Sequence, residues 1–471
     1  MQHVSTRGEA PPLGFAEVML AGLARDGGLY VPQSWPRIEP QEIAGFAGRP
    51  YAEVAADIIG RFTDETIAHT DLARMTREAY CCFRHPAVVP LTQLNANTFV
   101  LELFHGPTLA FKDVAMQLLA RLMDHALRAR GERRTIMVAT SGDTGGAAVE
   151  AFRERDQVDL IVLFPQGRIS DVQRRMMTTA QADNINAIAI DGTFDDCQAI
   201  VKGLFNHHAF ADRVRLSGVN SINWARIVAQ TVYYFTAAVA LGAPYRKVAF
   251  TVPTGNFGDI YAGYVALRMG LPIDRLVIAT NVNDILARTL ATGVYELRDV
   301  VATTSPSMDI QVSSNFERLL FDAYERDGSA IRALMASLTQ SRRFALSAHA
   351  LAQIRAHFAA GRADEDEVAS TIRTVKRETG NFVDPHTAVG IAVAEKEPRD
   401  PAVPMVVLST AHAAKFPDAV EAACGVRPQL PEWLCDLDKR PERVTALPVD
   451  QSAVERFVLK TSRAAQEGAA A

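Results

Sequence analysis

Phe99-Val-Leu-Glu-Leu-Phe-His-Gly-Pro-Thr-Leu-Ala-Phe-Lys-Asp-Val-Ala-Met-Gln-Leu-Leu-Ala-Arg-Leu-Met123 passes from one hydrophobic period to another. It opens as an extended apolar run, and Gly106-Pro107 marks a turn. Apolar groups then recur at 114, 118, 119, 122 and 123, the spacing of one helix face. The reading is strand, turn, helix, with Lys112 where the helix starts. The same alternation runs downstream, with strand candidates at Thr135–Ala139, Leu160–Phe164, Ile188–Ile190, Val248–Val252, Leu276–Ala279 and Met405–Leu408. Short buried strands separated by amphipathic helices predict an α/β fold with parallel sheets. The runs fall into two groups, which predicts two doubly wound lobes with a cleft between them.

Upstream of this stretch the texture is different. Tyr51-Ala-Glu-Val-Ala-Ala-Asp-Ile-Ile and Ile67-Ala-His-Thr-Asp-Leu-Ala-Arg-Met place apolar groups three and four apart. The predicted organisation is a mainly helical N-terminal domain over 1–90 and a larger α/β domain over 91–135 and 226–435. A smaller α/β domain covers 136–225, and 436–471 is a C-terminal extension whose tail, from Ser462, is expected to fray. Asp364-Glu-Asp-Glu367 reads as a solvated helix start. Thr379-Gly-Asn-Phe382 echoes Thr254-Gly-Asn-Phe257, but only the latter follows a clear strand.

Composition narrows the class. The chain has 471 residues, 48% hydrophobic and 22% charged, with a formal net charge of −5, as in an ordinary soluble protein with no nucleic-acid surface. No apolar run reaches the length of a membrane span, and no signal-peptide core opens the chain. Five cysteines, with no Cys-x-x-Cys or His/Cys cluster, argue against a disulfide framework and against a metal site. A reducing, cytoplasmic setting is expected.

Four turns after predicted strands carry the chemistry. A lysine at a helix start is disfavoured as an ammonium by desolvation and by the positive helix end, so Lys112 is a candidate nucleophilic amine. The bland alternative is a lysine that snorkels to solvent. Pro253-Thr-Gly-Asn-Phe-Gly-Asp259 leads into a helix, and its glycines let backbone N–H groups converge on a phosphate; a ligand-free glycine turn is the alternative. Ala139-Thr-Ser-Gly-Asp-Thr-Gly-Gly146 has the make-up of a carboxylate-binding helix start, or of a capped turn. After Met405–Leu408, Ser409 or Thr410 could meet a ring nitrogen. A fifth run, Val219-Asn-Ser-Ile-Asn-Trp-Ala-Arg226, is dense in donors, and Arg226 could bind an anion or cap structure. A junction lysine plus a phosphate loop is the minimum needed to anchor pyridoxal 5'-phosphate. Turns that follow parallel strands should gather at one edge, where ligands bind.

Taken in order, Arg25-Asp-Gly-Gly-Leu-Tyr-Val-Pro32, the Lys112 segment, Thr140-Ser-Gly-Asp-Thr-Gly145, Asn220-Ser-Ile-Asn-Trp-Ala-Arg226, the Pro253–Asp259 loop, Asp384-Pro-His-Thr-Ala-Val-Gly390 and Ser409-Thr-Ala-His-Ala-Ala-Lys-Phe-Pro417 closely resemble the threonine synthase family over nearly the whole chain. The resemblance implies a fold type II pyridoxal phosphate enzyme, a lyase of threonine biosynthesis. It would eliminate the γ-phosphate of O-phospho-L-homoserine and add water at the β-carbon, giving L-threonine and phosphate. It implies Lys112 as the Schiff-base lysine and Gly255, Asn256, Phe257, Gly258 and Asp259 as the cofactor-phosphate loop. Thr410 becomes the hydroxyl partner of the pyridine nitrogen. Ser141, Gly142, Asp143 and Thr144 receive the substrate carboxylate or face the ring. For the substrate phosphate the candidates are Ser221, Asn223, Arg226 and Lys415, with the two cations favoured. Ala413 departs from the family's Ala-His-Pro-Ala-Lys-Phe. A monomer or homodimer is expected, with no nucleic-acid or membrane partner. The rival readings are a related phospho-lyase or dehydratase releasing a 2-keto acid, and a non-catalytic protein that binds a phosphate metabolite.

Overall fold

The computed structural model describes residues 1–470, and Ala471 lies outside the described residues. Two parallel sheets organise it. The larger has six strands in the order Phe358–Arg362, Ile273–Thr280, Val248–Pro253, Met405–Ser409, Thr98–Glu102 and Leu91–Gln93. All neighbours are parallel except the antiparallel edge strand Leu91–Gln93. The smaller has five strands, all parallel, in the order Thr445–Leu447, Ile185–Ile190, Val158–Pro165, Arg134–Ala139 and Leu216–Ser217.

The central strands explain why the fold is legible. Val248–Pro253 and Val158–Pro165 are buried at every position, so neither face meets water and helices must cover both. The helix Trp224–Ala240 packs against both Lys112–Arg130 and Gly258–Arg268. They share one apolar core with the N-terminal region, through residues such as Phe15, Ile58, Leu119, Val228, Phe250 and Ile260.

Three segments depart from the sequence reading. Besides four helices, the N-terminal region holds a small antiparallel sheet, in the order Leu13–Gly14, Gln2–Ser5, Tyr30–Pro32. Its strands are too short to show a period. The C-terminal extension joins the smaller sheet, because Thr445–Leu447 pairs in parallel with Ile188–Ile190. Nor is the expected frayed tail what forms beyond Ser462. A helix spans Arg463–Ala470, and Arg463 bonds the otherwise isolated carboxylate of Asp159 at 2.6 and 2.7 Å. That buried aspartate in an apolar strand demands a cation, and the tail delivers it.

Asp364 caps its helix with Glu367 in a reciprocal pair, as the acidic run suggested. The Thr379-Gly-Asn-Phe echo is a helix end: Gly380 takes φ 76° at the C-terminal cap, a conformation that favours glycine.

Candidate active site

The strand-end turns do gather, but from two sheets rather than one. Lys112, Gly258 and Thr410 follow strands of the larger sheet, and Asp143 follows Arg134–Ala139 of the smaller. The two carboxyl edges face each other across the cleft, where Asp143 reaches Lys112 and Lys415.

Local bonds fix the Lys112 turn. Phe111 N–H donates to the Thr410 carbonyl at 2.8 Å, and His412 N–H to the Leu109 carbonyl at 3.0 Å. The Asp113 carboxylate accepts from Thr108 N–H at 2.7 Å and Thr108 Oγ1 at 2.6 Å. Gly106 is required there, since a Cβ would lie 2.5 Å from Asp113. These bonds leave the Lys112 side chain 12% exposed, pointing at Asp143. Burial lowers its amine to about 8 against the opposing pull of Asp143, with Lys415 and Arg226 lowering it further.

Asp143 starts the helix Asp143–Phe152. Its Oδ1 accepts from Lys415 Nζ at 2.7 Å and from Gln173 Nε2 at 3.0 Å, while Oδ2 stands 3.7 Å from Lys112 Nζ. Burial opposes its charge, but Lys415 and Lys112 hold the carboxyl far below the ordinary range.

In the Pro253–Asp259 loop the carbonyls are drawn outward. Gly255 C=O accepts from Ser313 Oγ at 2.7 Å, and Asn256 C=O from Asn315 N–H at 3.1 Å and Nδ2 at 2.9 Å. Phe257 takes φ 62°, and the helix Gly258–Arg268 begins with no side-chain cap. An uncapped helix start facing a cleft is an anion site. His386 supports it from behind: Asp384 accepts from His386 Nδ1 at 2.6 Å, and His386 Nε2 accepts from Ser307 N–H at 3.3 Å.

The residues fit pyridoxal phosphate. A buried amine held near 8 faces the cleft from one strand end. An uncapped helix start able to take a phosphate, with a preceding loop where a Gly255 Cβ would collide with the Ser307 carbonyl, stands at the next. Thr410, largely buried, closes the third strand and spends its carbonyl on Phe111, while its hydroxyl has no hydrogen-bond partner among the described residues.

The chain matches the models "Threonine synthase N terminus" over 2–80, "Pyridoxal-phosphate dependent enzyme" over 83–362 and "Threonine synthase, C-terminal" over 387–458. It is 52% identical over 459 residues to a threonine synthase of Pseudomonas aeruginosa, covering 97% of this chain and 98% of that one. This chain belongs to the threonine synthase family. A threonine synthase of Brucella melitensis, solved with pyridoxal phosphate bound, superposes with TM-score 0.96 at 61% identity, over 98% and 100% of the chains. The yeast threonine synthase superposes with TM-score 0.93 at 36% identity, over 98% of each. The protein is a fold type II pyridoxal phosphate-dependent enzyme.

Within this threonine synthase fold the expected site residues divide. Lys112, Asp143 and Lys415 meet directly. Gly142 takes φ 134° against the Gln173 side chain, and Ser141 and Thr144 are half-buried beside it. Two side chains face elsewhere. The Asp259 carboxyl accepts from Tyr233 and Tyr234 hydroxyls behind the loop, so Asp259 offers the cradle only its backbone. Asn223 caps its helix by accepting from Ala225 N–H and donates to the Met19 carbonyl at 2.8 Å. Lys415 is 1% exposed, and its amine also donates to the Thr108 carbonyl at 2.8 Å. Ser221 lies beside the cradle, its carbonyl accepting from Asn315 Nδ2 at 3.3 Å. Arg226 is buried; Nη1 donates to the Val219 carbonyl at 3.1 Å and Nε has no partner. Where Ala413 replaces proline, His412 Nδ1 accepts from Ala414 N–H at 3.1 Å and holds the turn instead. Sequence reasoning assigned no role to Gln173, Ser307, Ser313 or Asn315. His386 stood in a quoted motif, but nothing in that motif shows that its ring reaches Ser307.

Proposed function

We propose that this enzyme converts O-phospho-L-homoserine and water into L-threonine and phosphate. One observation carries the reading: the buried guanidinium of Arg226 pairs with no carboxylate among the described residues, and its charge lowers the Lys112 amine. It offers an anion site separate from the 255–259 loop, and a buried cation without a counter-ion suits an anionic substrate.

Pyridoxal phosphate, when bound, supplies the electron sink that accepts charge as protons leave the substrate. Lys112 Nζ, lowered to about 8, accepts a proton from the substrate carbons and returns it at neutral pH. The backbone of 255–259 holds the cofactor phosphate, and the Thr410 hydroxyl serves as a neutral partner of the ring nitrogen. Arg226 holds the substrate phosphate and stabilises it as the C–O bond at the γ-carbon breaks. Ser141, Gly142 and Thr144 receive the substrate carboxylate. Water then adds at the β-carbon and protons return to the α- and γ-carbons, which balances the reaction.

The test is turnover of O-phospho-L-homoserine with both products measured. Threonine and phosphate in equal amounts support the reading; phosphate with a 2-keto acid and no threonine overturns it.

A further inference from the structure

Lys415 and Asp143 form the tightest ion pair in the cleft, at 2.7 Å, and join the two lobes across it. Lys112 is a second, looser claimant on the same carboxylate, at 3.7 Å. We propose that Lys415 is a positioning residue that occupies Asp143 and thereby keeps the Lys112 nitrogen from being fixed in its protonated form. The inference rests on the reading of Lys112 as the cofactor lysine.

The geometry gives the reason. Lys415 is anchored by the Thr108 carbonyl at 2.8 Å, so it cannot follow Asp143 outward. Gln173 holds the same Oδ1 at 3.0 Å, from the helix Asp171–Thr178. The carboxylate is thus clamped at Oδ1, and only Oδ2 is left facing Lys112, at 3.7 Å. Other charges face Lys112 as well. Arg226 approaches from the helix Trp224–Ala240, and neighbouring Asp113 is turned onto Thr108. Neither is placed to replace the clamp. Without Lys415, Asp143 would be a buried carboxylate whose nearest cation is Lys112, and it would pair there. The direction of the Lys112 shift agrees, since Lys415 lowers it and Asp143 raises it.

The test uses the cofactor-loaded full chain. Borohydride reduction followed by peptide mapping first checks that the cofactor is fixed to Lys112; label elsewhere defeats the underlying reading and not the clamp. The absorbance of the bound cofactor is then titrated with pH in wild type, Lys415→Met, Lys415→Arg and Asp143→Asn. Lys415→Met should raise the midpoint by about one pH unit, Asp143→Asn should lower it, and Lys415→Arg should restore it towards wild type. A purely structural lysine would not give shifts of opposite sign from the two partners. A midpoint unmoved or lowered in Lys415→Met, in protein that still carries cofactor at Lys112, overturns the proposal.

Discussion

Gly255 packs against Ser307 so closely that a Cβ on the glycine would lie 2.5 Å from the serine's carbonyl oxygen. The obstacle is backbone, and that backbone is itself held by His386 Nε2. Gly255→Ala must therefore push the cradle off its support. Overpacking of this kind costs about 1–3 kcal/mol. The expected outcome is pyridoxal phosphate affinity weakened by roughly 5- to 100-fold, read by fluorescence titration of the stripped chain. Wild-type affinity in Gly255→Ala would show that the contact does not shape the cradle.

Lys112 gives the second prediction. Lys112→Ala should lose threonine production by roughly 10³-fold or more while its circular dichroism stays native. In the wild-type chain stripped of cofactor, attachment needs the neutral amine. Its rate should climb about tenfold per pH unit and level near pH 8, where burial places the amine. A rate still climbing at pH 10 would mean an ordinary, solvated lysine.

What the sequence made legible follows from how each residue is used. Fully buried strands such as Val248–Pro253 announce themselves, because every position must be apolar. So does a lysine at a helix start. The Leu216–Ser217 and Leu13–Gly14 strands do not, since two residues have no period. Direction is equally hidden. Asp259 looks like a cradle residue by position, yet its carboxyl faces Tyr233 and Tyr234 because the helix turns that face inward. The pairing of Asp143 with Lys415 joins distant segments through the meeting of two sheets, and no local pattern encodes it.

Arg226 yields the third prediction. Its Nε lacks a partner among the described residues, so an anion would gain a charge-assisted bond there. Arg226→Met should raise the KM for O-phospho-L-homoserine by roughly 10- to 100-fold, the weight of one or two such bonds. The cofactor should remain attached at Lys112. An unaltered KM would place the substrate phosphate elsewhere.

His3 predicts an acid weakness. It is fully buried between Phe15 and Trp224, and neither ring nitrogen makes a hydrogen bond of good geometry among the described residues. Burial lowers it from 6.5 to about 4. The folded state therefore keeps it neutral where the unfolded chain binds a proton, and stability falls as pH drops from 6.5 towards 4. The integrated loss is about 3 kcal/mol. His3→Phe should remove that part of the slope in urea unfolding measured across this range. An identical slope would mean that His3 is not the group titrating.

Asp259 yields the last prediction, with the opposite sign. Burial raises its carboxyl to about 7, although the hydroxyls of Tyr233 and Tyr234 pull it down. A carboxyl raised in the fold contributes stability while protonated and loses it as pH rises from about 4 through 7. An amide keeps the accepting oxygen without the buried charge. Asp259→Asn should therefore match or exceed wild-type stability at pH 8. Asp259→Ala leaves the buried Tyr233 hydroxyl without its acceptor, while Tyr234 keeps the carbonyl of residue 259 at 2.9 Å, and the change should cost about 1–3 kcal/mol. Because the same residue opens the helix that forms the cradle, Asp259→Ala should also weaken pyridoxal phosphate binding, whereas Asp259→Asn should not. Equal loss of cofactor affinity in both variants would mean that the carboxylate charge itself serves the cradle.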